Sequence, residues 1–162
     1  MKKILLVFLL WIGSLNIYPQ YNLDQPMSLI EVNGVSIAYT TTGEQENTPV
    51  LMIMGLMGSH KVWGEEIVNG LVDAGYRVIL FDNRDTGESE NLDRLGKPNL
   101  YWKFAMNSLG IDFSAPYTLS DMALDGLGIL DHLGIEEAHI VGASMGGMIA
   151  QTLAYEHPER VK

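Results

Sequence analysis

The spacing of apolar residues changes several times along this chain, and each change marks an element. Residues 28–31 and 35–41 flank Asn33-Gly34. That dipeptide favours a type I′ turn, so the two segments predict a β-hairpin. Residues 50–54 are a short uninterrupted apolar run, as expected of a strand covered on both faces. Trp63, Ile67 and Leu71 then recur every four residues, with Val68 and Val72 widening the stripe, which predicts a helix ending near Gly75. Residues 76–81 predict the next strand. Thr118 and Asp121 have the spacing of a capping box, opening a helix whose face carries Met122, Leu127, Leu130 and Leu133 and which Gly134 ends. A strand over 138–142 and a helix over 145–156, stopped by His157-Pro158, complete the pattern.

The order is hairpin, strand, helix, strand, helix, strand, helix. It predicts an α/β fold: an open, mostly parallel sheet with an N-terminal β-hairpin and helices on both faces. Right-handed crossovers gather the functional loops at the carboxyl ends of the parallel strands. Residues 88–116 break the pattern with Pro98, Pro116 and scattered aromatics. They are either a lid-like insertion or a long surface connection, and the sequence favours neither.

The head of the chain differs from the rest. Lys2 and Lys3 precede nine consecutive apolar residues, 4–12, followed by Gly13 and Ser14. A basic start and a short apolar run predict a signal peptide over 1–20, since nine residues cannot span a bilayer as a helix. A strand or buried helix turn of the domain is the competing assignment. The signal predicts a secreted or periplasmic protein, or a membrane-tethered one if it stays uncleaved, with no membrane span in the mature chain.

The composition, 47% apolar and 19% charged over 162 residues, is that of one globular domain. Ten basic against twenty acidic residues leave a net charge of −10, scattered rather than blocked. Such a surface repels phosphate backbones and argues against a nucleic-acid partner. There is no cysteine, which removes disulfides and thiolate metal sites.

The strongest chemical signal is Gly142-Ala143-Ser144-Met145-Gly146, placed where a strand gives way to a helix. In a strand–turn–helix elbow of this kind the serine is held in a strained conformation that exposes its Oγ. Gly142 and Gly146 lack side chains because bulk there would collide where strand and helix nearly touch. The backbone N–H of Met145, at the positive end of the helix, points toward a developing oxyanion. Gly55, Leu56, Met57 and Gly58 follow the apolar strand 50–54, where a second oxyanion donor is expected. Leu56 is the expected donor, with Gly55 letting the chain turn tightly beneath it. After the next strand, the run from Asp82 to Ser89 suits a turn braced by side chains, with Arg84 free to pair with a carboxylate. Asp82 and Asp85 lack the further ligands that a metal site needs.

A serine hydroxyl needs a neighbouring base. His157 stands thirteen residues beyond Ser144, nearly 20 Å along a helix at about 1.5 Å per residue. His139 starts the strand that leads to the elbow, and His132 ends the capped helix. His60 follows the Gly55 loop and is expected at the surface or on the pocket rim, a role as the base being the minor alternative.

Together these residues resemble the α/β-hydrolase superfamily: Gly-Leu-Met-Gly after one strand, Asp-Asn-Arg-Asp-Thr-Gly-Glu-Ser after the next, and the whole run 116–162. The stretch from Pro116 through Gln151 is particularly similar to the branch of aclacinomycin methylesterase-like carboxylesterases. Many relatives carry His at Met54 and Gly at Asp85. The resemblance covers most of residues 28–162 and makes 21–162 the N-terminal part of one α/β-hydrolase domain, ending after the elbow helix. It implies a Ser-Asp-His triad with Ser144 as nucleophile and both partners downstream. It implies hydrolysis of a small-molecule carboxylic ester through an acyl-enzyme, with no cofactor or metal. The chain by itself is expected to be inactive. Acyl transfer or another reaction of the same nucleophile, and a non-catalytic truncated binding domain, are the alternatives.

Overall fold

The computed structural model describes residues 20–95 and 116–162. Strands β1 (Ser28–Val32) and β2 (Val35–Thr42) form an antiparallel hairpin with Val32 opposite Val35. Its turn residues Asn33 and Gly34 both take positive φ, 49° and 74°, as a type I′ turn requires. Strands β3 (Thr48–Ile53), β4 (Tyr76–Phe81) and β5 (His139–Gly142) extend the sheet in the order β1-β2-β4-β3-β5. β4 runs antiparallel to β2 and parallel to β3, and β3 runs parallel to β5. The chain leaves β3 toward one neighbour and returns to its other side as β5. The strand order therefore reverses between β3 and β5, the place where open α/β sheets bind their ligands.

The uninterrupted apolar runs serve two cores at once. Successive strand side chains point to opposite faces. Leu51, Ile53, Ile79 and Phe81 therefore pack with Ile129 and Leu130 of helix α2 (Leu119–His132) and Ile149 and Leu153 of helix α3 (Met145–Glu156). Val50, Met52, Val78 and Leu80 pack on the other face with Tyr21 and with Val68 and Val72 of helix α1 (Gly64–Asp73). Helices thus cover both faces. On α1 the buried face differs from the expected stripe: Ile67 is 53% exposed, because the helix turns its Val68–Val72 side to the sheet. α2 begins at the expected capping box. The Thr118 hydroxyl accepts from the Asp121 N–H at 3.2 Å, and the Asp121 carboxylate accepts from the Thr118 N–H at 2.7 Å. A side chain at Gly128 would press on Val32, so this glycine lets α2 lie close over β1.

Arg84, from the loop after β4, pairs with a carboxylate. Its guanidinium holds Asp125 of α2 with two bonds of 2.7 and 2.6 Å, both residues being buried. It also lies 5.1 Å from the centre of the Tyr117 ring. Asn33 of the hairpin turn donates to the same carboxylate at 3.3 Å. One ion pair therefore joins the β4 loop, α2 and the hairpin. Burial works against the charge on Arg84, but the bonds from Asp125 outweigh it and hold the guanidinium protonated above its ordinary range.

The expected signal segment falls outside the described residues except for Gln20, as do residues 96–115 of the irregular stretch. Among the described residues no helix is long and apolar enough to cross a membrane.

Removing one partner of a buried ion pair strands the other charge. Asp125→Ala is expected to destabilise the full-length protein by about 3–5 kcal/mol. Arg94→Ala, which removes the solvent-facing pair with Glu90, should have no measurable effect. Urea denaturation of both variants checks this, and similar midpoints for the two would contradict it.

Candidate active site

Three loops leave the carboxyl ends of the parallel strands β3, β4 and β5 side by side. Ser144 sits between β5 and α3 with φ 54° and ψ −122°. A positive φ is costly for a residue with a side chain, and such sites cost about 1–3 kcal/mol. Close backbone packing imposes it. A side chain at Gly146 would run into the carbonyl oxygen of Ile53, and one at Gly142 into that of Gly146. The Ala143 N–H donates to the same Ile53 oxygen at 3.0 Å. The elbow is thus pressed against the end of β3 as well as against its own helix. Ser144 is exposed, and Met145, as the first residue of α3, has no intrahelical acceptor for its N–H.

The β3 loop touches the serine directly. A side chain at Gly55 would meet Ser144 Cβ at 2.9 Å and its Oγ at 3.3 Å. This corrects the reason for that glycine. The left-handed residue of the turn is Met57, at φ 61°, and Gly55 is bare because Ser144 fills the space. The Gly58 N–H closes the turn on Gly55 O at 3.2 Å. Leu56 and Met57 stand 73% and 87% exposed at its tip.

The β4 loop lies beneath the other two. Asp82 is buried, and its Oδ1 accepts from the backbone N–H of His60 at 2.7 Å and from its Nδ1 at 2.8 Å. Oδ2 accepts from the Glu88 N–H at 2.9 Å. An ionised Asp82 can only accept, so the His60 Nδ1 that faces Oδ1 is assigned as the donor. Burial opposes ionisation of Asp82, but the bonds from His60 and Glu88 prevail and hold its carboxyl below the usual range. The next residue, Asn83, donates through Nδ2 to Met54 O at 2.7 Å. Asp85 is likewise committed, accepting from the Leu92 N–H at 2.6 Å and the Tyr117 hydroxyl at 2.7 Å.

His60 is the clear departure from expectation. It is only 2% exposed, not a surface residue, because Asp82 draws both its backbone and its ring inward. The signal for it was a polar residue four positions before the helix, next to a loop of committed geometry. His139 lies in β5 with its ring 6.0 Å from that of Tyr76, His132 pairs edge-on with Tyr39 at 5.7 Å, and His157 caps α3 near Glu159 at 3.8 Å. The sequence also missed Asp125 as the partner of Arg84. An acidic residue three positions from Met122 and four from Ile129, on the apolar face of α2, was the available sign.

A serine on a strained strand-to-helix turn, with a second loop packed on its Oγ, defines a class of enzyme scaffold. The chain belongs to the alpha/beta hydrolase fold family, whose profile matches residues 48–162. It is 35% identical over 136 residues to rhodomycin D methylesterase DnrP of Streptomyces peucetius, covering 84% of this chain and 40% of that protein. Among solved structures it resembles epoxide hydrolase A from Mycobacterium thermoresistibile at 27% identity and a TM-score of 0.64, over 83% of this chain and 36% of that one. It resembles an alpha/beta hydrolase fold protein from Chitinophaga pinensis at 28% identity and a TM-score of 0.64, over 85% and 42% of the two chains. The chain thus spans 40% of the length of that methylesterase.

If the elbow is strained, Ser144→Gly relieves it. Allowing for the extra freedom that glycine gives the unfolded chain, the gain should be about 1 kcal/mol in the full-length protein. Ser144→Ala keeps the Cβ and should leave stability unchanged. Thermal and urea unfolding of the two variants check this, and a Ser144→Gly variant no more stable than Ser144→Ala would contradict it.

Proposed function

We propose that the full-length protein hydrolyses a small-molecule carboxylic ester, with Ser144 as the nucleophile. The observation that carries this is the combination of positive φ, exposure and contact with Gly55 at Ser144. Such strain persists only where surrounding structure holds it, and it concentrates at reacting residues. Ser144 Oγ attacks the ester carbonyl while a histidine takes its proton. The N–H groups of Leu56 and Met145 hold the oxyanion, the C–O bond to the alcohol breaks, and the histidine returns the proton to the leaving alkoxide. Water then hydrolyses the acyl-enzyme by the same steps. The histidine and the aspartate that orients it are assigned to residues beyond Lys162. The likeness to a methylesterase supports an ester as substrate, and the basic, apolar start of the chain supports export across a membrane. Asp82 and Arg84 act through the loops they brace and do not touch the reacting atoms.

A fluorophosphonate probe and a p-nitrophenyl ester test this on the full-length protein. Both should react, and Ser144→Ala should lose hydrolysis by about a thousandfold or more. Labelling that survives Ser144→Ala would place the nucleophile elsewhere and overturn the assignment.

A further inference from the structure

The loop that carries Leu56 begins at Met54 and ends at His60, and two adjacent residues of the β4 loop hold its two ends. At the start, Asn83 Nδ2 donates to Met54 O at 2.7 Å. At the finish, Asp82 Oδ1 takes both the backbone N–H and the Nδ1–H of His60. All three side chains are buried, at 2%, 1% and 2% exposure for Asn83, Asp82 and His60. Between the clamped ends only the 3.2 Å bond from Gly58 to Gly55 ties the loop to itself, and its tip is exposed.

The clamp residues are themselves fixed from behind. Asp82 donates its N–H to Ala38 O of β2 at 3.0 Å, and its own carbonyl accepts the Ser89 hydroxyl at 2.5 Å. Ser89 Oγ in turn accepts from the Ala38 N–H at 2.9 Å. The Thr86 N–H closes the turn on Asn83 O at 3.0 Å. At Gly87, with φ 57°, a side chain would run into the Asp82 carboxylate. The sheet therefore holds Asp82 and Asn83, and they hold the loop.

We infer that Asp82, Asn83 and His60 are positioning residues that fix the Leu56 N–H relative to Ser144, on the assumption that Leu56 is the oxyanion donor proposed above. A donor of this kind is effective only when already aimed at the place where charge develops. The clamp supplies that aim without touching substrate. It acts at both ends because a loop held at one end alone could rotate about the other. His60 contributes through its backbone N–H and its ring Nδ1, both held by Asp82 Oδ1.

The test compares three variants of the full-length protein. Asn83→Leu removes the bond to Met54, His60→Leu removes the ring donor, and His60→Asn keeps a donor where Nδ1 stood. Misaiming one oxyanion donor should lower kcat for a p-nitrophenyl ester by about tenfold or more in Asn83→Leu and His60→Leu. KM should stay within about threefold, since ground-state binding is not changed. His60→Asn should recover most of the lost kcat. Amide hydrogen exchange over residues 54–60 gives a readout independent of activity: it should quicken in Asn83→Leu and His60→Leu and stay slow in His60→Asn. Equal exchange in all variants, or a kcat loss in His60→Asn matching that in His60→Leu, would overturn the clamp. A wild-type protein that is inert to esters and fluorophosphonates while the exchange pattern holds would instead remove the ester-hydrolase assignment and leave the clamp standing.

Discussion

Backbone packs directly on backbone where β3, β5 and α3 converge, and the rest of the site depends on it. Gly146 lies against the Ile53 carbonyl, Gly142 against the Gly146 carbonyl, and Gly55 against Ser144. No side chain fits into any of these contacts. Their consequence is that the strand-to-helix turn has no room to relax, and Ser144 takes a φ of 54°. The strain at one residue is sustained by many ordinary contacts around it: two packed cores, a parallel strand pair and a helix docked at its first turn. An exposed, strained serine in the middle of well-packed structure is a local cost that the contacts around it sustain.

Around that centre, buried charge is used to place loops. Asp82 and Asp125 are both enclosed, and each is met by donors whose number and direction suit a carboxylate. Burying a charge costs several kcal/mol before its bonds are counted, so such pairs are poor sources of net stability. What they provide is direction. Arg84 and Asp125 fix the β4 loop to α2 and the hairpin. Asp82, with its neighbour Asn83, fixes the β3 loop to the β4 loop. The described part of the β4 loop thus works as a bracket between the sheet and the β3 loop that packs on the serine.

Much of this was legible in the sequence, because it is local. The hairpin turn at Asn33-Gly34, the capping box at Thr118 and Asp121, and the elbow around Ser144 each depend on residues a few positions apart. The sequence therefore announced both the α/β order and the candidate serine. The long-range pairings were not legible. Arg84 and Asp125 are 41 residues apart, His60 and Asp82 22, and Asn83 and Met54 29. A charged or polar side chain gives no local sign of which distant partner will bury it. The rotation of α1 that exposes Ile67 was hidden for a related reason: a four-residue repeat fits two neighbouring helix faces, and packing chooses between them.

The proposed reaction requires Ser144 to become covalently acylated. Acid-quenched mass spectrometry of the full-length protein during turnover of a slowly hydrolysed ester tests it most directly. An acyl adduct is expected on the peptide containing Ser144, appearing with turnover and disappearing as the substrate is exhausted. Turnover with no adduct on that peptide, or with an adduct on a different residue, would contradict it.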